Sequence, residues 1–89
     1  MTILPVEYHY EFYCSRFGDP FFACKTSNPM MTIATGDYLD WRGFSDFPLT
    51  IASGSRVRVE SVEHIIWEIE NKHIAHKIMY VIEVVAEQD

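Results

Sequence analysis

Three histidines near the end of the chain are the residues whose type and spacing first suggest chemistry. His73 and His76 form a His-x-x-His pair, and His64 lies upstream of them. Imidazole nitrogens bind zinc, but on a strand positions 73 and 76 point to opposite faces, so these two converge only if His73 lies in a turn. The register predicted below sets His64 opposite Met79 rather than His76. We therefore predict no metal site and no cofactor, and expect surface histidines beside a hairpin turn.

Other catalytic patterns are weak. Cys14 and Cys24 have no recognisable catalytic neighbours, and the chain has neither a Gly-x-Ser-x-Gly elbow nor a glycine-rich phosphate loop. Two acidic pairs fall where solvated edges are expected: Asp37 with Asp40, and Glu60 with Glu63. A filled barrel of 89 residues also leaves little room for a pocket. We predict that the protein is not an enzyme and assign no catalytic residue.

Charge and composition limit the class of partner and the compartment. The chain has a net charge of −6 and only seven basic residues, which argues against nucleic acid as the default partner. It contains no apolar run of membrane-spanning length and no signal-peptide pattern. Cys14 and Cys24 could pair across a hairpin, but reduced thiols fit a cytoplasmic chain better. We expect a cytoplasmic protein that does not bind membranes.

The element that positions these groups is a long C-terminal hairpin over residues 56–85. A two-residue turn at Asn71-Lys72 would pair apolar with apolar side chains almost throughout. The predicted pairs are Ile69 with Ile74, Trp67 with His76, Ile65 with Ile78, and Val59 with Val84. The alternative is a helix over residues 61–73, because Val62, Ile65, Ile66 and Ile69 also follow helical spacing, with Ser61 as N-cap. β-branched residues and Trp67 favour the strand.

The first half of the chain predicts a second hairpin. Residues 6–14 alternate between apolar and polar side chains, which is typical of a half-buried strand. Gly18-Asp19-Pro20 is a turn signal, and residues 21–26 are interpreted as the returning strand. Further on, Gly36-Asp37 indicates a tight turn before a short strand over residues 38–41.

Residues 42–55 are predicted to be a loop that lies as a lid over one end of the sheet. Its large apolar side chains are Phe44, Phe47, Leu49 and Ile51. Gly54 then turns the chain into the long strand. In that strand Val57 and Val59 are out of phase with Val62, so we predict a bulge or sharp bend near residues 61–63.

These elements predict one small domain over residues 1–89. The expected fold is mainly β: a small antiparallel, partly open barrel or roll of five to six strands with a long C-terminal hairpin. An α+β fold with one short helix at residues 61–73 is the alternative. The order of Gly-Asp, short strand, long loop, Gly and long curved hairpin resembles SH3-like small barrels in outline. That resemblance concerns architecture and implies no function.

The last strand is apolar on both faces, which indicates that something covers both. We therefore predict a protein-interaction module that self-associates through the outer face of the hairpin, with another protein as a further possible partner. The expected partner-binding residues are Trp41, Phe44, Phe47, Trp67, Ala75, Met79 and Val81.

Two alternatives use other residues. A single-stranded nucleic-acid binder would stack bases on aromatic side chains and hold phosphates with basic ones. Those residues would be Tyr8, Tyr10, Trp41 and Trp67, with Arg56, Arg58 and Lys77. An acidic decoy for a basic partner protein would use an acidic stripe along the long strand. The stripe consists of Glu60, Glu63, Glu68 and Glu70.

Overall fold

The structure is a computed structural model that describes residues 3–14, 18–29, 32–41 and 54–86. Five strands form one sheet in the order β2-β1-β5-β4-β3, which curls into a half-barrel. Their bounds are β1 Val6–Tyr13, β2 Phe22–Thr26, β3 Tyr38–Leu39, β4 Ser55–Ile69 and β5 His73–Ala86. The mainly β, partly open fold is confirmed, and the alternative helix at residues 61–73 is wrong. No helix in the described ranges could cross a membrane.

β5 lies in the middle of the sheet, between β1 and β4. It pairs antiparallel with β4 but parallel with β1, so the sheet is mixed, where we expected antiparallel pairing. In the centre of the sheet, side chains from both neighbouring strands can pack over a strand that is apolar on both faces. The β1–β2 hairpin forms as predicted, with Tyr10 opposite Cys24.

The turn between β4 and β5 differs from the prediction by one residue. Glu70 and Asn71, rather than Asn71 and Lys72, have positive φ, at 41° and 58°. The Lys72 N–H donates to the Ile69 carbonyl at 2.7 Å, and three residues separate the paired positions Ile69 and His73. A change of one residue in register moves every side chain of one strand relative to its partner. The predicted cross-strand pairs of the hairpin are therefore wrong.

A bulge in β4 resolves the phase conflict seen in the sequence. The register shifts between Val59, which pairs with Ile82, and Ser61, which pairs with Val81. The predicted irregularity is thus present, slightly before residues 61–63. The extra residue reverses which positions face inward, so Val57, Val59 and Val62 all reach the core.

The core lies on the inner face, where aromatic rings from three parts of the chain meet. The ring centroids of Phe12 and Tyr80 are stacked 4.8 Å apart, and Trp41 meets Phe12 edge-on at 5.0 Å. Tyr10 and Ile82 complete its most buried part at 1% exposed. Aromatic pairs in these geometries add to the free energy gained from burial alone.

Short-range turns place the small strand β3. Gly36 has φ of 91°, and the Asp37 carboxylate accepts the Ala34 N–H at 2.7 Å. The N–H of Val59 donates to the Asp37 carbonyl at 2.8 Å, which docks this turn against β4. The strand ends at Leu39, earlier than the predicted end at residue 41. The predicted lid side chains Phe44, Phe47, Leu49 and Ile51 lie outside the described residues.

Candidate functional site

Side chains from β1 and β4 cover the outer face of β5 near the turn. His9 on β1 and Trp67 on β4 have ring centroids 6.4 Å apart, in a stacked arrangement. Two strand spacings separate β1 from β4, about 9–10 Å, so both rings lean over β5 toward each other. The small side chain of Ala75 pairs directly with Trp67 and is 2% exposed. A single chain therefore already covers this part of the outer face.

Charged and polar contacts lie beside this apolar strip on the outer face. Glu7 lies 2.9 Å from His9, and Lys77 lies 3.3 Å from Glu11. Tyr13 donates its hydroxyl proton to the Glu11 carboxylate. Burial raises the pKa of Tyr13 to about 12, with the Glu11 hydrogen bond and charge as further causes. This face has the character of a solvated polar surface around a small apolar strip.

The edge of β4 beyond β3 is open. β3 pairs only with Val57 and Arg58, and the Gly36–Asp37 turn reaches Val59. Along residues 61–69, no strand among the described residues pairs with the side of β4 that faces away from β5. We call this stretch the open edge. Unpaired strand edges present backbone N–H and C=O groups that can accept another strand.

Three consecutive apolar side chains on the open edge are exposed. Ile65 is 42%, Ile66 64% and Trp67 39% exposed. Charged side chains and proline are the usual protection of an edge, and none occurs within these three positions. The hairpin extends beyond the core, and the molecule measures 54 × 24 × 24 Å. An apolar segment on an open edge is the feature that most distinguishes this end of the molecule.

The corrected register brings two of the predicted histidines together. His64 Nδ1 and His76 Nε2 lie 2.8 Å apart on the inner face, so one nitrogen donates a proton to the other. The Tyr8 ring lies 5.6 Å from the His76 ring, centroid to centroid. Burial, followed by the charge of His64, lowers the pKa of His76. His73, the third histidine, lies apart from this pair on the outer face of β5, 3.8 Å from Glu7.

The predicted partner-binding residues are dispersed in the structure. Trp41 is 7% exposed and packs on the core, and Val81 is 9% exposed. Met79 is half-buried on the outer face, in a shallow groove that Tyr13 and Val81 also line. Trp67 is the most exposed of the described members. Phe44 and Phe47 lie outside the described residues.

The two thiols are separate and unbonded. Cys24 pairs with Tyr10, and Cys14 lies four residues after Tyr10 in the chain. The β1–β2 register therefore holds the two cysteines apart. Burial raises the pKa of Cys14, which makes its thiol a poor nucleophile. No group of three metal-ligating side chains occurs within residues 3–14, 18–29, 32–41 and 54–86.

Comparison with known proteins found no match to a family model, a curated protein or a solved structure. The inference of function therefore rests on the geometry of this chain.

Sequence reasoning missed two features of the hairpin end. It did not identify Ile66 as exposed, because Ile66 lies opposite His76 on the inner face, along an edge of β4 that no described strand covers. It also separated His64 from His76, because the turn was placed one residue too late. The Asn at position 71, a residue that tolerates positive φ, is compatible with either turn. The sequence holds only one signal for the pair. Positions 64 and 76 are both even, so a register that pairs even with even positions places both side chains on one face of the sheet.

Proposed function

We propose that this chain is a non-enzymatic protein-interaction module that self-associates through its C-terminal hairpin. The open edge of β4 pairs antiparallel with the same edge of a second copy, and the two sheets become continuous. The observation that carries this proposal is the exposed segment Ile65-Ile66-Trp67 on an edge that no described strand covers. Pairing satisfies the backbone groups and buries the apolar side chains in one step.

Symmetry restricts how two such edges can pair. A two-fold axis perpendicular to the sheet keeps inner faces together, so each residue pairs with one of the same parity. When the axis passes through Ile66, Ile66 pairs with itself and Ile65 pairs with Trp67. In this register His64 lies beside Glu68 of the second copy. The pairs Ile65–Trp67 and His64–Glu68 then each occur twice in the dimer, and Ile66 meets its own copy once on the axis.

Neighbouring registers are less favourable. With the axis at Ile65, Glu63 pairs with Trp67, and Val62 pairs with Glu68. With the axis at Trp67, Ile66 pairs with Glu68. Of the three registers, only the Ile66-centred one pairs the exposed segment Ile65-Ile66-Trp67 entirely with itself. Its carboxylate–apolar pairs, Glu63 with Ile69 and Val62 with Glu70, lie outside that segment. The Ile66-centred register is therefore the one we propose.

The outer face is a weaker candidate than the edge for the same role. Ala75 is already covered, Val81 is nearly so, and ion pairs surround them. The basic residues that a nucleic-acid partner would need are also engaged with other side chains. Arg58 donates from Nε to Glu83 at 3.0 Å, and Arg56 lies 3.8 Å from the centroid of the Tyr38 ring. These contacts favour a protein partner over nucleic acid.

The cytoplasm is the compartment we propose for this module. Two unbonded thiols in the described chain suit a reducing environment. Edge pairing needs no disulfide, so self-association is compatible with that compartment.

Sedimentation equilibrium tests self-association. In buffer with EDTA, the mass of the chain should rise with concentration from 10.4 kDa toward twice that value. Ile66→Lys removes an apolar contact in each copy and sets two like charges opposite each other. Fully burying an isoleucine is worth about 1.5–3 kcal/mol, so the dimer should weaken at least about tenfold.

Ile3→Lys is the matched control, because Ile3 is 87% exposed and lies outside the sheet. This variant should associate like the unmodified chain. The proposal is wrong if the unmodified chain remains a monomer at every concentration, or if both lysine variants change the mass equally. If the open edge binds a different protein instead, the purified chain remains a monomer, which is the first of these results.

A further inference from the structure

We infer that His64 and His76 are two ligands of a zinc site that Glu68 of a second copy completes. The inference rests on the proposed edge pairing, because the third ligand comes from the other chain. Each dimer would then hold two equivalent zinc ions, one on each side of the two-fold axis. Two histidines, one glutamate and an open fourth position form a donor set that zinc accepts.

The two imidazoles are close to the geometry of a chelate. Their Nδ1 and Nε2 atoms are 2.8 Å apart. Zinc–nitrogen bonds of about 2.0–2.1 Å at a tetrahedral angle require a separation of about 3.3 Å. The rings therefore need to separate by only about half an ångström to admit the ion. Both lie on the inner face, and His64 is exposed, so the ion can reach them.

No third ligand for this site exists within the described part of one chain. Glu68 lies on the same face of β4 as His64 but four residues away, and His76 is flanked by Tyr8 and Ile66. In the Ile66-centred dimer, however, Glu68 of the second copy lies directly beside His64. Paired residues on adjacent strands have Cβ atoms about 4.5–5.5 Å apart. His64 meets His76 on the β5 side of β4, so an extended Glu68 side chain of the second copy would reach over β4 to share the ion. The dimer thus supplies what a single chain lacks.

Zinc titration combined with mass measurement tests the inference. The full chain, freed of metal, is titrated with Zn²⁺ in competition with a chromophoric chelator. We expect one ion per chain and a dimer at least tenfold tighter in zinc than in EDTA, because binding to the dimer alone favours the dimer. His76→Gln should weaken zinc binding at least tenfold. His73→Gln is the control and should leave it unchanged.

Glu68→Gln distinguishes a ligand from the second copy from one within the chain. In the unmodified background it should weaken zinc binding about tenfold or more, measured at a concentration at which sedimentation in EDTA shows that the variant is dimeric. In the Ile66→Lys background, at a concentration at which that variant is monomeric, Glu68→Gln should have no further effect on zinc affinity. Equal weakening in both backgrounds would contradict the inference, because Glu68 would then act within its own chain.

Failure of the zinc site is distinguishable from failure of the proposed function. A dimer in EDTA whose Glu68→Gln variant binds zinc like the unmodified chain overturns the zinc site alone. A chain that is monomeric in both EDTA and zinc overturns both. Loss of zinc binding in His73→Gln but not in His76→Gln would place the ion near Glu7 and overturn the assignment.

Discussion

The imidazole of His9 and the indole of Trp67 meet across the central strand, with their ring centroids 6.4 Å apart. They come from strands on opposite sides of β5 and close over Ala75, which is 2% exposed. This contact explains how an isolated chain covers part of a strand that is apolar on both faces. It also limits the side chain at position 75, beneath the two rings, to a small one.

Ala75→Leu should therefore destabilise the fold by overpacking. The added atoms would have to separate His9 from Trp67 or displace β5, at a cost of about 1–3 kcal/mol in the free energy of unfolding. Urea unfolding followed by circular dichroism measures this cost. Ala23→Leu is the matched control, because Ala23 is exposed on β2, and its effect should stay within about 0.5 kcal/mol. Equal effects of the two changes would contradict the described packing.

Glu70→Gly should stabilise the hairpin. Glu70 has φ of 41°, a left-handed conformation that disfavours residues with a Cβ atom but costs glycine little. We expect the free energy of unfolding to rise by about 0.5–1 kcal/mol. Lys72→Gly is the control within the same turn. Lys72 is not among the residues with positive φ, so glycine there should give no gain. A loss of stability in Glu70→Gly would show that the turn is wrongly placed.

Tyr13 should make the fold sensitive to high pH. Burial, with the hydrogen bond to Glu11, raises its pKa to about 12, above the ordinary value of 10.0. The folded chain then holds the proton more tightly than the unfolded chain does. Its contribution to stability is complete below pH 10 and is lost as the pH rises toward 12. Urea unfolding at pH 9 and pH 11 should show a larger fall for the unmodified chain than for Tyr13→Phe. An identical fall in both would contradict this role.

Phe12→Ala should remove most of the stability of the domain. Phe12 is 2% exposed and contacts Tyr80 and Trp41 by stacking and edge-on packing. Truncating a buried phenylalanine costs about 3–5 kcal/mol, against a total of about 5–15 kcal/mol for a typical domain. Thermal unfolding followed by circular dichroism measures the change. Ile3→Ala, at an exposed position, should leave the midpoint nearly unchanged, and a similar loss in both would contradict the assigned core.

The sequence predicted those parts of the fold that local patterns encode. Alternation identified β1, the Gly18-Asp19-Pro20 signal identified the first hairpin, and the polar interruption after Val59 indicated the bulge. These signals depend on residues close together in the chain. The parallel pairing of β1 with β5 joins distant segments, and no local pattern specifies it.

The candidate site was harder to predict because it depends on register. The turn at Glu70 and Asn71 shifts the strands by one residue relative to a turn at Asn71 and Lys72, and this shift decides whether His64 and His76 lie on the same face of the sheet. Asn71 fits both turns, and Glu70 gives no sign of its positive φ. The exposure of Ile66 likewise follows from the strand order and from the short β3, which leave this part of β4 without a described neighbour, and only the structure supplies these.

The edge-paired dimer is tested most directly by cysteine cross-linking at its two-fold axis. Ile66→Cys is placed in a chain that also carries Cys14→Ser and Cys24→Ser, and is then oxidised mildly. Paired residues on adjacent strands have Cα atoms about 4.5–5.5 Å apart, within disulfide range. Position 66 should therefore form a disulfide-linked dimer rapidly, whereas cysteine at position 64 or 68, displaced along the strands, should not. Equal cross-linking at all three positions, or none at position 66, would contradict the proposed interface.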